Sequence, residues 1–127
     1  MKEHKLDELE NEAKERWGQT MEWQESQRRT AAWGKADWEA MKARQAGLMA
    51  RIGEGMDQGP ASPETQEAVK AYHRFIDSTF YPCPPATFLG LSELWKGDER
   101  FRASWEGIKP GLCDFACEAV QVYVRGL

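Results

Sequence analysis

Three prolines fall within four residues at Pro82-Cys83-Pro84-Pro85, directly after Tyr81. Proline lacks the amide proton that a helix or a strand ladder needs, and it pushes the residue before it out of the α region. No regular helix runs through such a corner, and no central strand contains it. Both flanks nonetheless read as helix. "SPETQEAVKAYHRFID" opens with Ser62 as N-cap and Pro63 at the first helical position, and Val69, Tyr72, His73 and Ile76 share its inner face. Beyond the corner, Phe88, Leu91, Leu94 and Trp95 follow on a second helix. The chain is therefore expected to turn sharply between two helices at Cys83.

The other segments point the same way. Leu112, Phe115, Ala116, Ala119, Val120 and Tyr123 stand at i, i+3, i+4, i+7, i+8 and i+11, one face of a C-terminal helix that starts near Pro110. A helix over about 21–32, capped by Thr20, ends at Trp33-Gly34. A further one over 35–52 puts Trp38, Met41, Leu48 and Ile52 on one face. Gly53, Gly55, Gly59 and Pro60 mark the clearest loop. No alternating strand pattern of useful length occurs, so the expected fold class is all-α. Residues 1–15 are a charged helical extension in which only Leu6, Leu9 and Ala13 keep helical spacing. The apolar faces predict a compact core from roughly residue 62 onward, with the N-terminal portion packed over it less tightly.

A chain of 127 residues, 41% hydrophobic and 30% charged, suits one globular domain. Its net charge is −4, with basic and acidic residues interspersed, which argues against a nucleic-acid-binding face. No apolar run is long enough to span a bilayer, and the N-terminus lacks the apolar core of a signal peptide. Three cysteines then read as thiols of a reducing cytoplasm rather than a disulfide framework.

Six tryptophans are many for so small a core, and Trp17, Trp23, Trp33 and Trp38 crowd into a polar stretch. A single Trp is more often structural than functional, but Trp is common at binding surfaces because one edge stays wet while the ring face is covered. Cys113 and Cys117 lie one helical turn apart and, with Cys83 and His73, make four potential zinc ligands. There is no Cys-x-x-Cys pair, and cysteines in an Ala-rich helix read as small core residues. His73 alone does not make a haem site, and Cys83 with His73 carries no signature of a catalytic dyad. No metal, cofactor or enzymatic activity is expected. Cys83 itself has a restrained, extended backbone just before a helix N-terminus, where the dipole favours thiolate. That suits a thiol held out to capture an electrophile, and it suits a packed corner equally well.

Two blocks carry a resemblance. "RWGQTMEWQESQRRTAAWGKADWEAM" and "FYPCPPATFLGLSELWKGDERFRASWEGIKPGLCDFACEAV" resemble, in order and spacing over about 15–124, the TipAS antibiotic-recognition domain. The resemblance implies a single compact, globin-like domain over 16–127 that binds peptide-like antibiotics. In that family the domain is often the effector part of MerR-type activators, behind a DNA-binding module. Here only the short charged stretch precedes it, so the resemblance implies drug sequestration in the cytoplasm, with no direct nucleic-acid contact and no membrane. The alternative is an effector module that partners a separate transcriptional regulator. A homodimer is left open.

The implied ligand is a largely apolar, thiopeptide-like antibiotic held in an aromatic pocket. Trp17, Trp23 and Trp33 are expected to line it from the N-terminal side. Tyr72, Tyr81, Cys83, Phe88, Leu91 and Trp95 are expected from the corner and its helices. Cys83 matches the Tyr-x-Cys corner at which thiopeptide-binding members place a cysteine, and thiopeptides contain dehydroalanines to which a thiolate adds. The chain departs from trapping members at Gly90, where they carry a further cysteine, and at Trp95, where the family usually has Tyr. The acidic surface favours neutral or cationic ligands.

Overall fold

A computed structural model describes residues 21–127, with side chains described from Gln24 onward. The extension 1–15, the boundary at residue 16, Trp17 and the Thr20 cap lie outside the described residues, as does the Trp23 side chain. Among the described residues there are six α-helices and no strand: α1 (Met21–Thr30), α2 (Lys35–Glu54), α3 (Pro63–Thr79), α4 (Pro85–Gly97), α5 (Glu99–Glu106) and α6 (Leu112–Arg125). A 3₁₀ turn, Gly55–Asp57, follows α2.

Local chemistry sets the boundaries. Helix α1 stops at Thr30, two residues before the expected end, where the Thr30 hydroxyl donates to the Ser26 carbonyl at 2.8 Å. Gly34 is extended and caps α2, its amide donating to Asp37 Oδ2 at 2.9 Å. That is the half of a capping box available to a residue without a side chain. Ser62 Oγ accepts from the Thr65 amide at 3.2 Å and Pro63 opens α3, as predicted. Pro84 is extended, with φ −60° and ψ 159°, and α4 starts at Pro85. Glu106 receives the amides of Gly111 at 2.9 Å and Cys113 at 3.0 Å, capping α6 across a left-handed Gly111. Those two amide donors, Cys113 first, hold the Glu106 carboxyl below its usual range.

The core forms where α4 crosses α6 and where α3 packs on both α2 and α6. Helix α6 contributes Leu112, Cys113, Ala116, Cys117, Ala119 and Val120, whose small members let α4 approach closely. In that seam the thiols of Cys113 and Cys117 point at the carbonyls of Trp95 (3.6 Å) and Ser92 (3.1 Å). Burial pushes the Cys113 thiol up, and Cys117 to about 12, so both are inert core residues. The core begins earlier than residue 62, because Met49 and Ile52 at the end of α2 belong to it. Ahead of them, Thr30 is the one buried residue among those whose side chains are described. Trp38, expected on the inner face of α2, is 38% exposed and packs edge-on against Trp33, with centroids 4.8 Å apart. The first turns of α2 overhang the core rather than lie on it.

Candidate functional site

Two places are candidates for a functional site, and they share helix α3. The first is the proline corner. His73 and Asp77 stand one turn apart on α3 and grip the Cys83 backbone from both sides. The Cys83 amide donates to Asp77 Oδ1 at 2.7 Å, and the Cys83 carbonyl lies 2.6 Å from His73 Nε2. A carbonyl only accepts, so Nε2 carries the proton. In the neutral ring Nδ1 then accepts from the Tyr123 hydroxyl, 2.8 Å away. The imidazole also stacks on Phe88, with centroids 4.5 Å apart and planes 12° from parallel. The corner is thus tied to α3 and, through His73, to α6.

This clamp turns the thiol inward. Cys83 is 3% exposed, where the sequence led us to expect a thiol facing a pocket. Tyr72, Phe88 and Trp95 are likewise buried, in one aromatic cluster with Trp105. Tyr72 meets Trp95 at 5.7 Å and Trp105 at 5.7 Å, and Trp95 meets Trp105 at 4.8 Å. The Tyr72 hydroxyl receives Gln45 Nε2 at 3.1 Å, and burial pushes the phenol up to about 12. Tyr81 and Leu91 are half-buried beside this core. These residues come together, but as the centre of the domain.

The second place is a groove of about 520 Å³ lined by residues from the end of α1 through α2 and by one face of α3. Trp33, Ala40 and Met41 supply its apolar surface, with the Phe75 ring, 1% exposed, beneath them, and Arg29, Asp37, Arg44, Ser78 and Thr79 supply its polar surface. Of the expected site residues with described side chains, Trp33 alone lines it. Trp33 also leans on Phe80 at 6.1 Å. Helix α1 is held beside the groove by Arg29, which donates to the Asp77 carbonyl at 2.9 Å and to Glu25 Oε2 at 2.7 Å. Hydrogen bonds from Arg28 and then Arg29 pull the Glu25 carboxyl down to about 2. Arg44 lays its guanidinium over the Phe75 ring, 5.2 Å from the centroid.

Met41, Arg44 and Phe75 line this groove and are not among the residues expected from the sequence. A signal existed: Trp33, Asp37, Ala40, Met41 and Arg44 recur at helical spacing, as do Phe75, Ser78 and Thr79. Nothing in the spacing says that the two stripes border the same groove. A second groove of about 480 Å³, lined by Arg51, Glu54, Gly55, Gln58, Pro63, Glu64 and Glu67, has no aromatic wall. Among the described residues no three His, Cys, Asp or Glu side chains group as a metal would need. No described helix is long and apolar enough to cross a membrane.

Residues 9–123 match the family model of the TipAS antibiotic-recognition domain. The HTH-type transcriptional activator TipA of Streptomyces coelicolor is 32% identical over 116 residues, 90% of this chain and 46% of that protein. The HTH-type transcriptional activator mta of Bacillus subtilis is 35% identical over 100 residues, 79% of this chain and 39% of that protein. The chain thus spans less than half the length of these curated relatives. Among solved structures, TipAS of Streptomyces lividans in complex with nosiheptide superposes with a TM-score of 0.86 at 28% identity, covering 94% of this chain and 85% of that one. The two share a globin-like arrangement of helices.

Proposed function

The chain belongs to the TipAS antibiotic-recognition domain family, and from that premise we propose that it binds a bulky, largely apolar, thiopeptide-like antibiotic and sequesters it. The observation that carries this reading is the likeness to TipAS holding nosiheptide, which extends over nearly the whole chain. The α1–α2–α3 groove supports it physically. A volume of about 520 Å³ lies within the usual range for small-molecule sites, and Trp33 gives a flat and Met41 an adaptable apolar wall for heteroaromatic rings. Trp17 and Trp23 belong to the same proposal as further aromatic walls. Sequestration needs binding alone, so no turnover of the drug and no cofactor are proposed, and the site of action is the cytoplasm.

Covalent capture at Cys83 is a separate step. The thiolate would add to the β-carbon of a dehydroalanine, forming a C–S bond while the α-carbon takes a proton. With Cys83 3% exposed, that step requires the corner to open first.

Titration with nosiheptide, followed by Trp fluorescence, tests the reading. Quenching with saturable binding is expected, and Trp33→Ala should weaken it by about 1–3 kcal/mol. A folded protein that binds no thiopeptide ends the proposal. A second reading, an effector module partnering a separate regulator, is favoured by the transcriptional regulators among the relatives. Expression alone in a foreign thiopeptide-sensitive host separates the two: sequestration raises tolerance there, and a module lacking its partner does not.

A further inference from the structure

The charges around the α1–α2–α3 groove are unequal in what they leave free. Arg29 is engaged by Glu25 and by the Asp77 carbonyl. Asp37 accepts the Gly34 amide at the N-terminus of α2, where the helix dipole offsets its charge. Arg44 has no carboxylate partner among the described residues. Its guanidinium is instead held over Phe75 at 5.2 Å. A cation–π contact of this kind uses no N–H donor in a hydrogen bond, so the guanidinium donors are not spent on it. A guanidinium that lines this groove with no carboxylate partner among the described residues can receive a carboxylate through paired charge-assisted hydrogen bonds.

Resting on the groove as the antibiotic site, we propose that Arg44 is its specificity-determining residue, selecting ligands that present a carboxylate or a comparable acidic group beside their apolar rings. This runs against the preference for neutral or cationic ligands that the overall charge of −4 suggests. The local cation decides, because a Debye length of about 8 Å at physiological salt screens distant surface charge more than a contact pair.

The test uses one thiopeptide in two forms, with a free carboxylate and capped as the primary amide. The wild type should bind the acid about 5- to 20-fold more tightly, a ratio that shrinks as salt rises. Arg44→Gln should bring the ratio to about 1, and Arg44→Lys, which keeps the charge, should retain part of it. Because the comparison is a ratio within each protein, a change in stability common to both ligands cancels. Equal binding of the two forms by the wild type, or an undiminished preference in Arg44→Gln, overturns the inference and leaves antibiotic binding intact. Binding of neither form by the wild type removes the proposed function and this inference with it.

Discussion

At the scale of single residues, His73 and Gly55 have the clearest consequences. His73 holds the Cys83 carbonyl, stacks on Phe88 and meets Tyr123, so with Asp77 on the Cys83 amide it holds the corner that keeps the thiol inside. Loss of one buried hydrogen bond and its stacking contact is worth about 1–3 kcal/mol. In His73→Ala, Cys83 should therefore react with iodoacetamide at least about tenfold faster than in the wild type, with Cys113 and Cys117 as unreactive internal controls. Equal rates would show that the clamp does not govern access. Gly55 marks a close approach of a different kind. A methyl group there would sit 2.0 Å from Thr65 Oγ1 and 3.3 Å from the Thr65 Cα. The Thr65 hydroxyl bonds the Gly55 carbonyl at 3.3 Å, so the two backbones have little room to part. Gly55→Ala should cost about 1–3 kcal/mol in chemical denaturation, although Gly→Ala at the end of a helix is ordinarily mild.

At the scale of elements, the start of α6 depends on a carboxylate outside the helix. Glu106 accepts two amides that the first turn leaves unpaired, and its pKa is lowered in the folded state. A carboxyl with a depressed folded pKa stabilises fully above its unfolded value of 4.5 and loses that contribution as pH falls through the folded value. Glu106→Gln should lower Tm at pH 7, and the gap to wild type should close as pH drops below 4.5. A gap that widened in acid would contradict this account of the cap. Helix α1 differs in kind: among the described residues it is tied to α3 by Arg29 on the Asp77 carbonyl, and just beyond its end Trp33 leans on Phe80, the C-cap of α3. Such ties position a helix without burying much of it.

At the scale of the whole molecule, burial is distributed unevenly along the chain. From Met49 onward every helix contributes to the core, whereas before it Thr30 is the one described side chain that is buried. Local opening is cheapest where little apolar surface is lost, so the amides of α1 and of α2 before Met49 should exchange at least about tenfold faster than those of α3 and α6. A bound thiopeptide should slow the first set selectively, because the groove borders it. Uniform protection across both halves of the unliganded protein would contradict this ordering.

The amino-acid sequence by itself determined the helical class, the corner at Cys83, the Ser62-Pro63 start of α3 and the apolar face of α6. Each of these is local: it follows from proline geometry, capping chemistry or a 3.6-residue period, none of which needs a partner elsewhere in the chain. The family was legible too, because its motifs are read in order along the chain. What the sequence did not decide is which aromatic residues face a ligand and which face each other. Tyr72, Phe88 and Trp95 have the same ring chemistry in a core as on a binding wall, and their periodicity is the same in both. Only the packing of α6 against α3 and α4 puts them inside, and only the overhang of α2 leaves Trp33, Met41 and Arg44 around a groove. The Cys83 thiol was open to both readings for the same reason. Its backbone conformation is a property of the neighbouring prolines, but the direction of its side chain follows from the grip of His73 and Asp77 on its carbonyl and amide, ten and six residues back on α3.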